Sequence, residues 1–287
     1  MIPFPNILAS VKHKEKLLAG FAFMFFSLGA FYDAHANENY PVGARSLALS
    51  HASVSFSDVW SAFHNQAGLA ELNTVSTGFF YESRFGVDEL SLAAGSVVLP
   101  VQPGNFGLSF FQFGKGTFKE NKFGLAFSRN FTEKWSAGIQ LDYFLQTFPE
   151  NERSYGFATF EGGILFHPDK SFTLGAHVFN PVSGGVETPA GKTEMPIVFR
   201  VGGSYYFNEM LMIAFETEKD NQHPLLIKTG IEFLPVGNFA LRMGVSGKPF
   251  KYTAGIGYRI GNFSTDVGFG YHGNLGFTPS VSIQFDW

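Results

Sequence analysis

The carboxy-terminal stretch of the chain, FTPSVSIQFDW at residues 277–287, alternates between apolar and polar side chains. The odd-numbered positions carry Phe, Pro, Val, Ile, Phe and Trp, whereas the even-numbered positions carry Thr, Ser, Gln and Asp. A period of two is typical of a β-strand with one apolar and one polar face, because an α-helix would distribute these residues around its axis. This stretch therefore predicts a β-strand at the end of the chain.

The same alternation extends back along the chain to residue 75. It divides this part of the sequence into about fourteen segments, each close to the roughly 9–11 residues that a tilted strand needs to cross a bilayer. In one segment the apolar parity changes near Gly162 and Gly163, which predicts a β-bulge there. The predicted strands are 75–83, 88–99, 104–114, 120–131, 135–146, 155–167, 172–180, 196–206, 210–219, 225–234, 238–247, 251–260, 263–272 and 277–287.

The connections between these segments fall into two classes. Those after even-numbered segments are short, with turn residues such as Pro103 and Gly237. Those after odd-numbered segments tend to be longer and more polar, as at residues 149–153, 181–195 and 219–224. Outer-membrane β-barrels have short periplasmic turns and longer extracellular loops. The pattern therefore favours such a barrel, with its short turns in the periplasm.

Aromatic residues make up 17% of the chain, and they gather at both ends of the predicted strands. Two aromatic girdles are expected at the membrane–water interfaces of a barrel. A soluble β-sandwich also alternates, but its core is only about 10 Å thick and has less need of so many Phe. The predicted girdles are Phe106, Phe131, Trp135, Phe172, Phe207, Phe239, Phe263 and Trp287 beside the short turns, and Phe118, Phe148, Tyr155, Tyr252, Tyr271 and Phe277 beside the longer loops.

The amino terminus has the pattern of a secretory signal peptide. Basic residues at positions 12–16 precede an apolar run at residues 17–31, and Ala34-His35-Ala36 follows as a small-x-small cleavage site. A single membrane anchor is the alternative, but the run is short for a span. The predicted fold class is all-β, a transmembrane antiparallel β-barrel of about fourteen strands with a short amino-terminal plug. Its predicted parts are a signal peptide at residues 1–36, a plug at residues 37–74 and an outer-membrane barrel at residues 75–287.

Composition excludes several classes of function. The chain of 287 residues has no Cys, which excludes a disulfide scaffold and a Cys-ligated metal site. Its net charge of −4 leaves no basic excess to neutralise phosphates, so nucleic acid is not expected as a partner. No HExxH stretch or spaced carboxylate–His set points to a metal, and no cofactor is expected.

Catalytic chemistry has little support in the sequence. A hydrolase needs a nucleophile and a base within hydrogen-bond reach, and no Gly-x-Ser-x-Gly motif occurs. His51 beside Ser50 and Ser53 is the one tempting cluster, and a polar contact inside the plug is the simpler interpretation. We therefore expect a protein that is not an enzyme, and keep an outer-membrane lipid hydrolase as the remotest alternative.

If the apolar faces of the strands meet lipid, their polar faces enclose a lumen that carries charges of both signs. Two interpretations remain open: a hydrophilic path, or an interior in which opposite charges pair with each other. The second is favoured for any single residue. The predicted lumen charges are Arg129, Asp142, Arg200, Glu216, Lys228, Glu232, Arg242, Arg259 and Asp266, together with Glu218 and Asp286.

Two stretches ahead of the first strand carry a resemblance to a known family. GARSLAL at residues 43–49 and SAFHNQAGLA at residues 61–70 resemble the amino-terminal segment of the FadL-like outer-membrane barrels, most closely the branch called PorV/PorQ. The chain differs from that branch at Gln66, where the branch has Pro. The matching residues of this plug motif are Gly43, Ala44, Arg45, Asn65, Ala67 and Gly68.

The resemblance implies a barrel in the outer membrane of a Gram-negative bacterium that transports hydrophobic small molecules or acts as an accessory of type IX protein secretion. It also implies that the barrel-assembly machinery reads Phe285 and Trp287 as an assembly signal. The expected partners are outer-membrane lipid, a hydrophobic ligand, this machinery and secretion-system proteins. The alternative from a different class is a structural or docking barrel that binds a partner protein through its extracellular loops, especially residues 181–195.

Overall fold

The structure is a computed structural model that describes residues 39–116, 118–147, 153–188, 191–247 and 250–287. The predicted signal peptide and the predicted rim residue Phe148 lie outside these ranges. Helices within them are short: α1 (Ala44–Ala48), α2 (Ser61–His64) and 3-10 helices at Gln66–Glu71, Arg84–Gly86 and Asp88–Leu90. None of these described helices is long and apolar enough to cross a membrane.

Strands dominate the rest of the described chain. Fourteen of its strands form one closed antiparallel barrel, which confirms the predicted all-β barrel of about fourteen strands. Strands β8 and β9 form a separate hairpin in the loop between β7 and β10. The strands are β1 (Ser76–Ser83), β2 (Ser91–Val101), β3 (Gly104–Phe113), β4 (Lys119–Asn130), β5 (Trp135–Thr147), β6 (Ser154–Phe166), β7 (Phe172–Phe179), β8 (Gly185–Thr188), β9 (Gly191–Glu194), β10 (Val198–Asn208), β11 (Leu211–Asp220), β12 (Leu226–Val236), β13 (Phe239–Ser246), β14 (Lys251–Ile260), β15 (Phe263–His272) and β16 (Gly276–Asp286).

The ring closes where the first and last barrel strands, β1 and β16, meet, and we call this junction the seam. Phe79 of β1 lies opposite Ile283 of β16, and the Trp287 N–H donates a hydrogen bond to the Val75 carbonyl oxygen at 2.8 Å. Every barrel strand therefore has a neighbour on each side, which is how a barrel avoids an open sheet edge. We call the end with the short connections the turn side and the opposite end the loop side.

Apolar side chains point outward along the strands and polar side chains point inward. At the seam, Phe79 and Ile283 are 65% and 40% exposed, whereas Ser282 is 1% exposed. Exposed aromatic residues lie at both ends, for example Trp135 on the turn side and Tyr252 on the loop side. This arrangement is inverted relative to a soluble protein, and an outward apolar band with aromatic ends is what a membrane barrel presents to lipid.

The fourteen predicted segments agree with the observed strands to within three residues, but the predicted bulge at Gly162 and Gly163 is wrong. Strand β6 keeps an unbroken register with both β5 and β7. The apolar parity changes because Phe157 and Leu165 point inward and are packed in the lumen. Register shifts occur instead near the turn-side ends of β10 and β12, at Tyr206/Asn208 and Phe233/Val236.

Removal of Trp287 tests the seam. The deletion removes the hydrogen bond to Val75 and an aromatic ring 4.7 Å from that of Phe285, so we expect little assembled barrel in the membrane fraction. The measurement is the amount of protein that migrates as a compact species on unheated gels. Trp135→Ala, which also removes an exposed Trp but away from the seam, is the control and should assemble. Normal assembly of the deletion variant would contradict the expectation.

Candidate functional site

The residues ahead of β1 run through the inside of the ring. We call residues 39–74 the amino-terminal segment. Its helix α1 packs against β13, β14, β15 and β16, whereas its 3-10 helix Gln66–Glu71 packs against β3, β4, β5 and β6. These two groups of strands lie on opposite sides of the ring, so the segment crosses the lumen. Most of its side chains are buried, including Leu49, Phe63 and Leu69.

Glycines on the inner face of the barrel leave the space that this segment occupies. Gly244 lies opposite Gly230 on the neighbouring strand, and Gly255 lies opposite Gly268. A Cβ atom on Gly244 would lie 2.6 Å from the backbone of Leu49, and one on Gly255 would lie 2.6 Å from the Ala48 Cβ. Glycine in a strand often marks the close approach of another backbone. The barrel wall and the segment are therefore built as complementary surfaces.

The first half of the plug motif attaches α1 to the wall. Gly43 has a φ of 101°, a left-handed conformation that favours glycine, and it lies against the Trp60 ring. The Ala44 N–H donates to Ser282 Oγ at 3.3 Å. Arg45 extends from α1 toward β12, where its Nε and Nη2 donate to the two carboxylate oxygens of Glu232 at 2.9 and 2.8 Å.

The second half of the motif fixes the fold of the segment itself. Asn65 Nδ2 donates to the carbonyl oxygens of Val54, at 2.7 Å, and Ile164, at 3.1 Å. Asn65 Oδ1 accepts a hydrogen bond from the Ala67 N–H at 3.2 Å. Gly68 lies so close to Ser61 that a Cβ atom would meet its Oγ at 2.6 Å. The six motif residues thus shape the segment and bind it to the barrel.

Arg45 belongs to a chain of ion pairs that we call the Arg45 network. Besides Glu232, Arg45 faces the Asp58 carboxylate at 3.5 Å and lies over the Phe56 ring. Its members are Arg45, Asp58, Glu232, Arg242 and Asp266, and Arg242 joins the last two by contacts of 2.5 Å to Glu232 and 2.7 Å to Asp266. Burial raises the pKa of Asp58, and the nearby Arg45 charge opposes that rise. Forked guanidinium–carboxylate contacts of this kind are directional as well as strong.

A second group of charges holds the chain that follows α1. The Glu216 carboxylate accepts hydrogen bonds from the N–H groups of Ser53 and Val54 at 2.9 and 2.8 Å. Lys228 contacts Glu216 at 2.9 Å and Glu218 at 2.8 Å. Arg200 contacts Glu218 at 2.8 Å. These charged side chains lie on β10, β11 and β12, the part of the barrel wall against which this stretch of the segment packs.

A third, fully buried group centres on Lys122, which the sequence analysis missed. Lys122 contacts Glu161 at 2.5 Å and Asp142 at 3.3 Å, and all three side chains are 0% exposed. His177 Nε2 lies 3.0 Å from the second Glu161 oxygen. The Lys122 ammonium also lies 5.6 to 5.9 Å from the ring centroids of three aromatic residues, within reach of a cation–π interaction: Phe63, Phe144 and Phe179.

The predicted lumen charges do not all occupy the lumen. Arg129 is exposed on the outer face at the end of β4, because it has the same parity as Phe127. Arg259 has inward parity but lies at the turn-side end of β14, where it contacts Asp286 at 3.1 Å. Asp266 and Glu218 face the lumen and are partly buried. The fully inward, buried members are Asp142, Arg200, Glu216, Lys228, Glu232 and Arg242.

A cavity of about 580 Å³ opens below the segment on the turn side. The segment supplies part of its lining, including Asp58 and Trp60, and the strands supply Arg259, Asp286 and members of the Arg45 network. The turn residue Asn238 also lines it, which places the cavity at the end of the barrel with the short connections. The volume falls within the roughly 300–1,000 Å³ of small-molecule sites.

The loop side of the lumen is lined by aromatic residues instead. We call Tyr40, Phe111, Phe113, Phe144, Phe157 and Phe179 the aromatic cluster. Tyr40 of the segment stacks on Phe113 with ring centroids 4.3 Å apart, and Phe144 stacks on Phe157 at 4.9 Å. Met195, which follows the β8–β9 hairpin, packs into the same cluster and is fully buried.

The His51 cluster is a polar contact within the segment. His51 Nδ1 lies 3.1 Å from Ser46 Oγ, and that hydroxyl donates to Ser53 Oγ at 3.0 Å. Ser50 Oγ contacts Thr253 Oγ1 of β14 instead. In the described part of the chain, no group of three or more His, Asp or Glu side chains is placed to hold a metal ion.

Comparison with solved structures decides the fold family. The chain is similar to the CymD monoaromatic hydrocarbon channel, with a TM-score of 0.67 and 13% identity over 88% of this chain and 99% of that chain. The fold is FadL-like. The P. putida toluene transporter TodX matches with a TM-score of 0.65 and 13% identity over 85% of this chain and 98% of that chain. A Pseudomonas aeruginosa FadL homologue matches with a TM-score of 0.61 and 13% identity over 88% of this chain and 100% of that chain.

These FadL-like neighbours are channel or transporter barrels rather than enzymes by their names. No protein-family model matches the chain, and no curated protein sequence matches it. The likeness therefore rests on the shape of the barrel.

Lys122→Met tests the buried group of charges. The substitution leaves the Glu161 and Asp142 carboxylates buried without their ammonium partner, and breaking a buried pair costs about 3–5 kcal/mol. We expect the free energy of unfolding to fall by about that amount in urea titrations of the barrel in lipid vesicles. Lys119→Met, at an exposed position of the same strand, is the control. Equal stability of the two variants would show that the pair is not buried in the folded protein.

His64 makes stability depend on pH. Burial, followed by the charge of Arg200, lowers the pKa of His64 to about 3 from its usual 6.5. The unfolded chain therefore binds a proton that the folded chain excludes, so this contribution to stability is present above pH 6.5 and is lost as the pH falls toward about 3. His64→Gln should therefore reduce the dependence of the urea-unfolding midpoint on pH over that window. Superimposable pH profiles for wild type and His64→Gln would refute this.

Proposed function

We propose that this protein is a plugged channel of the outer membrane of a Gram-negative bacterium that conducts hydrophobic small molecules. In this proposal, residues 1–36 are a signal peptide that is removed, and residues 37–74 are the plug. The observation that carries it is the inward-facing aromatic cluster on the loop side of a barrel whose outer surface is also apolar. Aromatic side chains are unusual inside a barrel that conducts only ions, since such interiors are polar.

Two further features support a route through the lumen. The turn-side cavity offers a compartment of ligand size on the other side of the amino-terminal segment. The solved barrels of similar fold include a monoaromatic hydrocarbon channel and a toluene transporter, so a monoaromatic hydrocarbon is the first candidate ligand. The plug-motif residues, Gly43 to Arg45 and Asn65 to Gly68, are the basis for placing the chain in the PorV/PorQ branch.

A second candidate function is a docking barrel, including an accessory role in type IX secretion. The observation that favours it is the β8–β9 hairpin, which gives the longest loop a defined structure. Asn180 fastens this hairpin at both ends, because its Nδ2 donates to the Met195 oxygen at 2.8 Å and its Oδ1 accepts from the Gly184 N–H at 2.8 Å. A fixed loop presents a constant surface to a partner. Co-purification of secretion proteins without any solute uptake would favour this function.

Uptake of labelled toluene by cells with and without the protein tests the channel. We expect protein-dependent uptake that saturates, because ligands must contact the aromatic cluster on the way in. Phe113→Ala, at a buried inward position, should raise the half-saturating concentration severalfold. Phe110→Ala, at an outward position of the same strand, should leave it unchanged. Uptake that does not depend on the protein would rule out the channel, and equal effects of both variants would rule out the role of the cluster.

A further inference from the structure

The amino-terminal segment divides the lumen into two chemically different halves. On one side, strands β2 to β7 present Phe111, Phe144 and Phe179 to the segment. The charges on these strands, the Lys122 group, are fully buried, since the side chains of Lys122, Asp142 and Glu161 are 0% exposed. On the other side, strands β10 to β15 present the charged residues Arg200, Glu216, Glu218, Lys228, Glu232, Arg242 and Asp266. A hydrophobic molecule is suited to the first half, and the charged wall above the turn-side cavity is left without a role in the proposed uptake.

The two halves of the segment also differ in their attachment to the wall, because buried wall carboxylates hold the first half. Residues 59–72 bury Val59, Phe63 and Leu69 in the main core cluster. The neutral amides of Asn105 and Asn130 on the wall also donate hydrogen bonds to backbone carbonyl oxygens of this stretch. Residues 45–54 bury Leu49 and Ala52 in a smaller cluster with Met212 and Ala214 of β11. They add charged contacts with the wall: the forked Arg45–Glu232 pair, and the hydrogen bonds that the Ser53 and Val54 N–H groups donate to Glu216. Thr253 Oγ1 also donates to the Ala48 oxygen. Water can replace polar contacts at small net cost, whereas exposing apolar surface costs about 25 cal/mol per Å².

The charged half already connects to solvent at its lower end. Arg45, Glu232, Arg242 and Asp266 of the Arg45 network line the turn-side cavity from above, and Arg259 and Asp286 line it near the mouth. Above that network lie α1 and the charged side chains of Arg200, Glu216, Glu218 and Lys228. If residues 45–54 moved off the wall, the cavity would extend upward along these charged strands.

We propose that the charged half is a second, hydrophilic route through the barrel for small ions and polar solutes, closed in this structure by α1 and fastened by Arg45. Its wall carries four acidic residues (Glu216, Glu218, Glu232 and Asp266) and three basic residues (Arg200, Lys228 and Arg242), so it discriminates weakly between anions and cations. The proposal rests on the proposed membrane location but not on the hydrophobic ligand, because ion current and toluene uptake are measured separately.

Arg45 is a positioning residue in this route. Its guanidinium fork binds both oxygens of Glu232 and also faces Asp58, so it joins the wall to two points of the segment. Arg45→Ala removes these contacts and leaves the wall charges in place. Arg45→Lys keeps the charge but cannot form the fork, so its effect should be intermediate.

The experiment measures ion current through the purified protein in planar lipid bilayers in potassium chloride. We expect wild type to be mostly closed and Arg45→Ala to raise the open probability on the order of tenfold, which corresponds to about 1.4 kcal/mol. Arg129→Ala removes an exposed Arg outside the lumen and is the matched control, with wild-type current. A reversal potential near zero under a salt gradient is expected from the mixed charge of the wall.

A reversible disulfide between the segment and the wall identifies the moving element. The chain has no Cys, so a pair introduced as Ser50→Cys with Thr253→Cys is free of competing thiols. The two Oγ atoms are 3.0 Å apart, which joins the segment to β14. In the Arg45→Ala background, oxidation should abolish the current of the double-Cys variant and dithiothreitol should restore it. The current of each single-Cys variant should not respond to oxidation or to dithiothreitol.

Two results would overturn the proposal. One is a folded Arg45→Ala variant, confirmed by its compact migration on unheated gels, that carries no more current than wild type. The other is a current that persists when the Cys pair is oxidised, which would place the ion path elsewhere. If Arg45→Ala does not fold, the Cys pair in the otherwise wild-type chain decides, because only a moving segment gives rare openings that oxidation removes.

Discussion

A closed ring of strands with apolar outer faces forces the polar faces to share one enclosed space, and the pairing of charges in that space is the constraint on which this structure depends. A buried charge without a partner costs several kcal/mol, so every charge added to the wall requires a counter-charge. Lys122, Lys228 and Arg242 each meet two carboxylates. The amino-terminal segment takes part in this pairing through Arg45, so it belongs to the electrostatic structure of the barrel.

Close packing holds the segment against the wall beside the same ion pairs. The inward glycines on β12 to β15 leave no room for a side chain once α1 is seated, and a small residue at each of these positions is needed for the helix to approach. Without the segment, the same glycines would leave a gap and Glu216 and Glu232 would lose partners. Shape and charge therefore select the same position for α1, and the barrel interior is best understood as a surface made for one occupant.

The sequence predicts the strands well and the interior less well, for one physical reason. Period-two alternation reports which face of a strand a residue occupies, and register then follows from neighbouring strands, so the fourteen strands could be located. Alternation does not report what the inner face meets. Phe157 and Leu165 point inward, where Phe157 stacks on Phe144 of the wall and Leu165 is fully buried, and this inward apolar parity explains why the sequence wrongly predicts a bulge. The charge of Arg129 predicts a position in the lumen, whereas its parity with Phe127 places it outside. The same parity argument, applied to Lys122 beside Phe123, would have found the buried ammonium.

The difference between the two sides of the lumen bears on the proposed conduction through a filled barrel. A closely packed interior does not deform gradually, and it changes by moving between discrete arrangements. Along β2 to β7 such a movement would expose aromatic surface, which opposes opening unless a hydrophobic ligand takes the vacated contacts. Along β10 to β15 it would expose charges that water solvates readily, so opening there needs no ligand. It is opposed by directional contacts such as the Arg45 fork and by the packing of Leu49 and Ala52 on the wall. One segment can therefore act as two barriers, the first released by an apolar molecule and the second by the loss of a few ion pairs.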